Sequence, residues 1–106
     1  MNATAESQLD FDYVAQICER AAQGDLVARI NGLAADPTAL GRVARAINHL
    51  LDIADSYVRE SAAAMDHCSH GLFHRPILLR GLPGSYRDAA LVINRAALKM
   101  MQSAEQ

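Results

Sequence analysis

Apolar residues recur at steps of three and four in three stretches of the chain, and each stretch predicts a helix. Between about Leu9 and Gln23, the residues Phe11, Val14, Ile17, Cys18 and Ala21 share one helical face. That spacing predicts Cys18 as a core residue. Ser7 with Asp10 three residues on is a capping-box signal, with an acidic residue in place of the usual glutamate. Gly24 is placed to end this helix. The second stretch runs from Ala39 to about Ser69 without a proline, and its only glycine, Gly41, falls in the first turn. Its seam is Leu40, Val43, Ile47, Leu50, Ala54, Val58, Ser61, Met65 and Cys68, and the alternation of steps slips once, from Ala54 to Val58. A seam of roughly 30 residues, or about 45 Å of helix, cannot bury its own stripe and predicts a partner helix along its length, from this chain or another. Asp36-Pro37-Thr38 supplies its start, with Asp36 or Thr38 as the cap. The third stretch runs from about Ser85 to Ser103, with Tyr86, Ala89, Ala90, Ile93, Ala97 and Met100 on its apolar face, after the breaker Leu82-Pro83-Gly84.

Two connectors, residues 24–38 and 71–84, join these helices. Both open with glycine and carry isolated apolar residues: Leu26, Val27, Ile30 and Leu33 in one, Leu72, Phe73, Ile77 and Leu79 in the other. A connector of about 14 residues is longer than a tight helix turn needs. It is long enough to run back along a helix and start the next one in the same direction, with its apolar residues set into the side of the bundle. The two halves also repeat. Gly24 and Gly71 are 47 apart, as are Ile30 and Ile77; Ala44 and Ala90 are 46 apart, as are the pairs Ile47-Asn48 and Ile93-Asn94. Each unit is therefore helix, glycine, connector, helix, and the middle helix serves in both.

The 106 residues are enough for one small domain or two short units, and 51% are apolar. The formal charge of −2 leaves no basic excess to neutralise phosphates, which argues against a nucleic-acid partner. No apolar run approaches the roughly 20 residues that span a bilayer. The polar, acidic opening is unlike a signal peptide, so a cytoplasmic location is expected. Cys18 and Cys68 lie 50 apart and make no disulfide framework.

"GDLVARI" followed by "LGRVARAINHLLD" resembles the HAMP signal-relay domain of bacterial chemoreceptors and sensor kinases. Leu40, Gly41, Val43, Ala44, Ile47 and Asn48 carry the match. "GLFHRPILLRGLPGSYRDAALVINRA" resembles the divergent second unit of tandem HAMP arrays in methyl-accepting chemotaxis proteins. The family usually has glutamate where this chain has Ala39. The resemblance implies an all-α fold of two HAMP-like units, residues 9–58 and 55–103, after a tail over 1–8. They share the long middle helix and dimerise in parallel as a four-helix bundle. Gly24, Leu26, Ile30, Leu40, Gly41, Ile47, Asn48, Gly71, Ile77, Ile93 and Asn94 would be the relay-packing residues. The implied partners are a second copy and adjoining receptor or output domains. The implied role is a mechanical relay, in which helix packing switches between two states.

"HCSHGLFH", residues 67–74, is not part of that family pattern. His67, Cys68, His70 and His74 include ligand types for heme or a transition metal, which makes a sensor on the same scaffold the alternative function. Against it, Gly71 ends the helix, and imidazoles in a last turn interact well with the helix dipole and free carbonyls. A pH-sensing role is a third reading. His49 is expected on the surface, Met100 and Met101 in packing, and Arg75, Arg80 and Arg87 on a solvated face. No Ser-His-Asp set, phosphate loop or paired carboxylates occur, so no enzymatic activity is expected.

Overall fold

A computed structural model describes residues 3–105 of the chain, with side chains from residue 8 onward. The described residues form three helices and no strand: α1 (Ala3–Ala22), α2 (Ala39–Ser69) and α3 (Gly84–Ala104). The fold is all-α, as the spacing predicts. The chain divides into two compact units between Asp55 and Ser56, so α2 contributes to both. This division falls inside the interval where the heptad seam slips. A single step of four where three is due changes the face a long helix presents. Here it falls where α2 stops being the second helix of one unit and becomes the first helix of the next.

α1 starts earlier than Leu9: residues 3–8 of the expected tail are helical, and Ser7 lies inside the helix rather than at its cap. Ala3, Ala5, Glu6 and Gln8 are good helix formers and continue the helix backward. α1 and α2 end alike. Gln23 and Asp25 donate their N–H groups to the Arg20 carbonyl and Gly24 donates to Ala21; His70 and Leu72 donate to His67 and Gly71 to Cys68, all at 2.8–3.1 Å. Both closures need a left-handed residue, and Gly24 (φ 103°) and Gly71 (φ 76°) supply it without a Cβ penalty. At the start of α2, the Asp36 carboxylate accepts from the Thr38 amide at 2.7 Å and from its hydroxyl. The Thr38 carbonyl in turn accepts from Arg42 N–H at 3.3 Å. The two expected caps thus act together, Asp36 holding Thr38 in place. α3 begins after Pro83, whose backbone is extended and which makes no side-chain cap bond.

The order of side-chain bonds along each connector fixes helix direction. In the first, Asp25, Arg29 and Asn31 meet α1 at Arg20 and then Tyr13, so contacts move down α1 as the connector advances. The same connector meets α2 at Asp52, then Asn48, then Arg45, through Arg29, Ile30 and Ala34. It runs opposite to both helices, so α1 and α2 point the same way. In the second, Leu72 meets His67 and Arg75 meets Glu60, while Ile77 meets Asn94 and Leu79 meets Arg87. α2 and α3 are therefore parallel there too.

The first unit buries Val14, Ile17, Ile30, Leu40, Ala44 and Leu51 in one cluster, with Tyr13, Ala21, Leu26, Ala28, Leu33 and Ile47 packed against it. The second buries Ala64, Ile77, Leu82, Ala90 and Ala97. One expectation is corrected. Cys18 is exposed, because Val14 and Ile17 already fill the inner edge of α1 and Cys18 falls to one side. The seam of α2, expected to need a partner from this chain or another, is partly covered within this chain: Leu40 is inside, Val43, Leu50, Val58 and Met65 are exposed, and Ala44, Leu51 and Ala64 make the deeper contacts. Gly41 is buried, and a Cβ there would overlap the Asp36 carbonyl. Gly41→Ala is expected to destabilise the chain by about 1–3 kcal/mol, read as a lower midpoint in denaturant unfolding; an unchanged midpoint would mean that the connector end is not fixed against α2.

Candidate functional site

The connectors are extended chain whose backbone polar groups have no ladder to join. One residue per unit meets this need. Asn48 accepts a hydrogen bond from the Ile30 amide through Oδ1 at 2.8 Å and donates through Nδ2 to the Ile30 carbonyl at 2.9 Å. Asn94 does the same to Ile77, at 2.8 and 3.0 Å. A carboxamide is suited to this because one planar group carries both an acceptor and a donor. The isoleucine it grips is buried in both units, at 2% exposure each. Each clamp therefore joins two devices at one residue: the side chain plugs into the core while the carboxamide holds the main chain. Asparagine and isoleucine were both among the expected packing residues, and the structure brings each pair together.

Around the first clamp lie further polar anchors. The Tyr13 hydroxyl accepts from Asn31 N–H at 2.9 Å and donates to the Arg29 carbonyl at 3.3 Å. The Arg29 guanidinium bonds Asp52 at 2.9 Å and the carbonyls of Leu26 and Ala28 at 2.6 and 2.8 Å. Asp25 pairs with Arg20 at 2.7 Å and accepts from the amides of Val27 and Ala28. Arg45 reaches the Ala34 and Asp36 carbonyls. Sequence reasoning missed these anchors. Nothing in the spacing of Arg29, Arg45 and Asp52 marks them, and only the fold shows that the connector lies within their reach.

Of the remaining packing residues, Gly24 and Gly71 close helices and Gly41 permits the close approach at Asp36. Leu26, Ile47 and Ile93 are half-buried and Leu40 is buried. Leu82, read as part of a breaker, is a further buried anchor at 5% exposure.

The histidine cluster is spread out. The half-buried His67 donates Nδ1–H to the Ala63 carbonyl at 2.8 Å, and the exposed His70 does the same to Asp66 at 2.8 Å. Both rings fold back onto carbonyls one turn earlier in the closing helix, in keeping with the helix-end reading. Cys68 is half-buried at the same end. His74 lies past Gly71 in a shallow groove of about 300 Å³ with Glu60, Arg75, Pro76 and Leu78. Among the described residues, no three His, Cys, Asp or Glu side chains converge so as to hold a metal ion. His49 is exposed, as expected. Arg75 pairs with Glu60 at 3.4 Å and Arg87 reaches the Leu79 carbonyl at 3.5 Å.

The chain is 34% identical over 91 residues to the methyl-accepting chemotaxis protein Amb0994 of Paramagnetospirillum magneticum (strain ATCC 700264 / AMB-1). The match covers 86% of this chain and 21% of that protein, so the chain spans about a fifth of the length of the relative it matches. It supports reading the chain as a chemoreceptor-related region. No family model and no solved structure matches the chain. No helix among the described residues is long and apolar enough to cross a membrane.

Removing the Asn48 carboxamide would leave the Ile30 amide and carbonyl without their partner. Asn48→Ala is therefore expected to cost about 2–4 kcal/mol in chemical denaturation, and Asn48→Asp, which keeps the acceptor and loses the donor, to be only partly better; full stability in both variants would remove the clamp from the account. The Arg20 guanidinium, helped by the Val27 and Ala28 amides, holds the Asp25 carboxyl below the ordinary aspartate range. The Thr38 hydroxyl and amide do the same for Asp36. A lowered native value means that the stability these groups contribute is complete above the unfolded-state pKa, about 3.9, and is lost as pH falls through the lower native value. Carboxyl carbon shifts followed by NMR should titrate below about 3.9 for both residues; midpoints at or above it would contradict the bonding described.

Proposed function

We propose that the chain is the signal-relay and dimerisation module of a chemoreceptor-type protein, working in the cytoplasm as a parallel homodimer. Each unit would give two helices to a four-helix bundle, and the connectors would hold those helices in one of two packings. The observation that carries this reading is that the same apolar positions stay uncovered in both units. Phe11 and Val58 are 47 apart and each about half exposed, at 51% and 52%; Cys18 and Met65 are also 47 apart and both exposed. On the second helix of the first unit, Val43 and Leu50 are exposed, seven residues apart. An apolar position left open at the same register in two divergent repeats suits a surface that a second copy covers. The similarity to a chemotaxis receptor supports the same role. HAMP-like units are the finer form of the proposal, supported by the parallel helices and by connectors anchored at Ile30 and Ile77. Adjoining receptor and output domains would supply the input and read the result.

In a parallel two-fold dimer, a residue facing the axis meets its own copy. A Cys68→Ser chain, in which Cys18 is the remaining thiol, should sediment as a dimer and form a Cys18–Cys18 disulfide under mild oxidation. Leu50→Glu should shift the same chain toward monomer. A monomer at tens of micromolar, or a dimer that never cross-links through Cys18, would contradict the parallel arrangement.

A further inference from the structure

The two units share the clamp but not the supports around it. With connector positions aligned at 47 and second-helix positions at 46, Asp25, Arg29, Arg45 and Asp52 of the first unit each meet an apolar residue that cannot replace them. Asp25, which accepts from two connector amides, becomes Leu72. Arg29, bonded to Asp52 and to the connector's own carbonyls, becomes Pro76, and Asp52 becomes Leu98. Arg45, bonded to the Ala34 and Asp36 carbonyls, becomes Leu91. Tyr13 becomes Glu60, whose contact is a bridge to Arg75 at 3.4 Å with both side chains about a third or more exposed. That one bridge stands where the first unit has two comparably exposed bridges and, beside them, bonds from Tyr13, Arg29 and Arg45 to the connector's main chain.

The apolar supports thin out in parallel. Val14 and Ile17 of α1 correspond to Ser61 and Ala64 of α2, and Leu51 corresponds to Ala97. The Ser61 hydroxyl oxygen is buried with no hydrogen-bond partner among the described residues. A buried unpaired hydroxyl is a cost, and the smaller side chains remove apolar contact at the same level. The second unit's added contacts, the edge-to-face pair Tyr57–Tyr86 at 5.7 Å and the buried Leu82, lie in the helices and at the connector's far end. Nearer Ile77 the one addition is Arg87, which reaches the Leu79 carbonyl at 3.5 Å, the outer limit of a hydrogen bond, in place of the several shorter bonds of the first unit.

We propose that the second unit is the labile half of the chain: its connector, residues 71–83, held beside Ile77 by Asn94, by the Glu60–Arg75 bridge and by a long Arg87 bond to the Leu79 carbonyl, releases from α2 and α3 far more readily than residues 24–38 release from α1 and α2. Local opening of this kind is set by few buried contacts and few side-chain supports, whatever the global stability. The second connector is then the segment in which a change in helix packing would register first, with the first unit as the stiff half. The inference rests on the two bonding sets and not on the relay reading. A chain with unequal connectors that stays monomeric would overturn the dimer and leave this inference standing.

The test is hydrogen exchange by mass spectrometry on the whole chain, with rates corrected for sequence. Peptides covering 72–83 should exchange about ten-fold or more faster than those covering 25–38. Equal rates, or a slower second connector, would overturn the proposal. Ser61→Val installs the first unit's residue. It should slow exchange in 72–83 several-fold and leave 25–38 unchanged. If the variant leaves 72–83 unchanged or speeds it, Ser61 is no weak point and the proposal fails in that part.

Discussion

An extended connector between two parallel helices has backbone groups and no neighbouring strand to bond them. Everything else in this fold depends on how that problem is met. Asn48 and Asn94 meet it by pairing with both polar groups of one residue, Ile30 or Ile77, whose side chain is at the same time buried to 2% exposure. Neither half of the device suffices alone. A buried isoleucine without the carboxamide would draw unpaired main-chain groups toward the core, and a carboxamide without the buried side chain would be one more surface bond of about 1 kcal/mol.

Once the middle of each connector is fixed, the rest follows by chain geometry. Gly24 and Gly71 turn the chain out of a helix in the same bonded pattern, and each connector then runs back along the helix it has left. Parallel neighbours result. On the first helix of each unit, Phe11 and Val58, and Cys18 and Met65, stay exposed at equivalent positions. The long α2 reconciles the two units within one helix by a single slip of its seam, near the point where they divide.

Much of this was legible in the sequence because it is written twice. The glycine, the connector isoleucine and the asparagine recur at fixed offsets, so three helices, two connectors and both halves of the clamp could be picked out before any geometry. Periodicity told less about partners. It marked Cys18 and Val43 as apolar-face residues, but a stripe does not say whether this chain or another covers it, and here Val14, Ile17 and Ala44 take the inner places. The supports of the first clamp were not legible at all. Arg29, Arg45 and Asp52 become anchors only because the connector passes within about 3 Å of them. The histidines stood out by composition, yet the glycine that ends α2 separates His74 from His67 and His70 along the chain, and two of the three rings bond helix carbonyls.

The central claim is that one carboxamide per unit bonds both polar groups of the connector isoleucine. Scalar coupling across hydrogen bonds, measured by NMR on uniformly labelled protein, observes such a bond directly. The account predicts a correlation from the Ile30 amide nitrogen to the Asn48 side-chain carbonyl carbon, and a second from Ile77 to Asn94. Absence of both, with the two isoleucine amides exchanging at the rate of open chain, would contradict it.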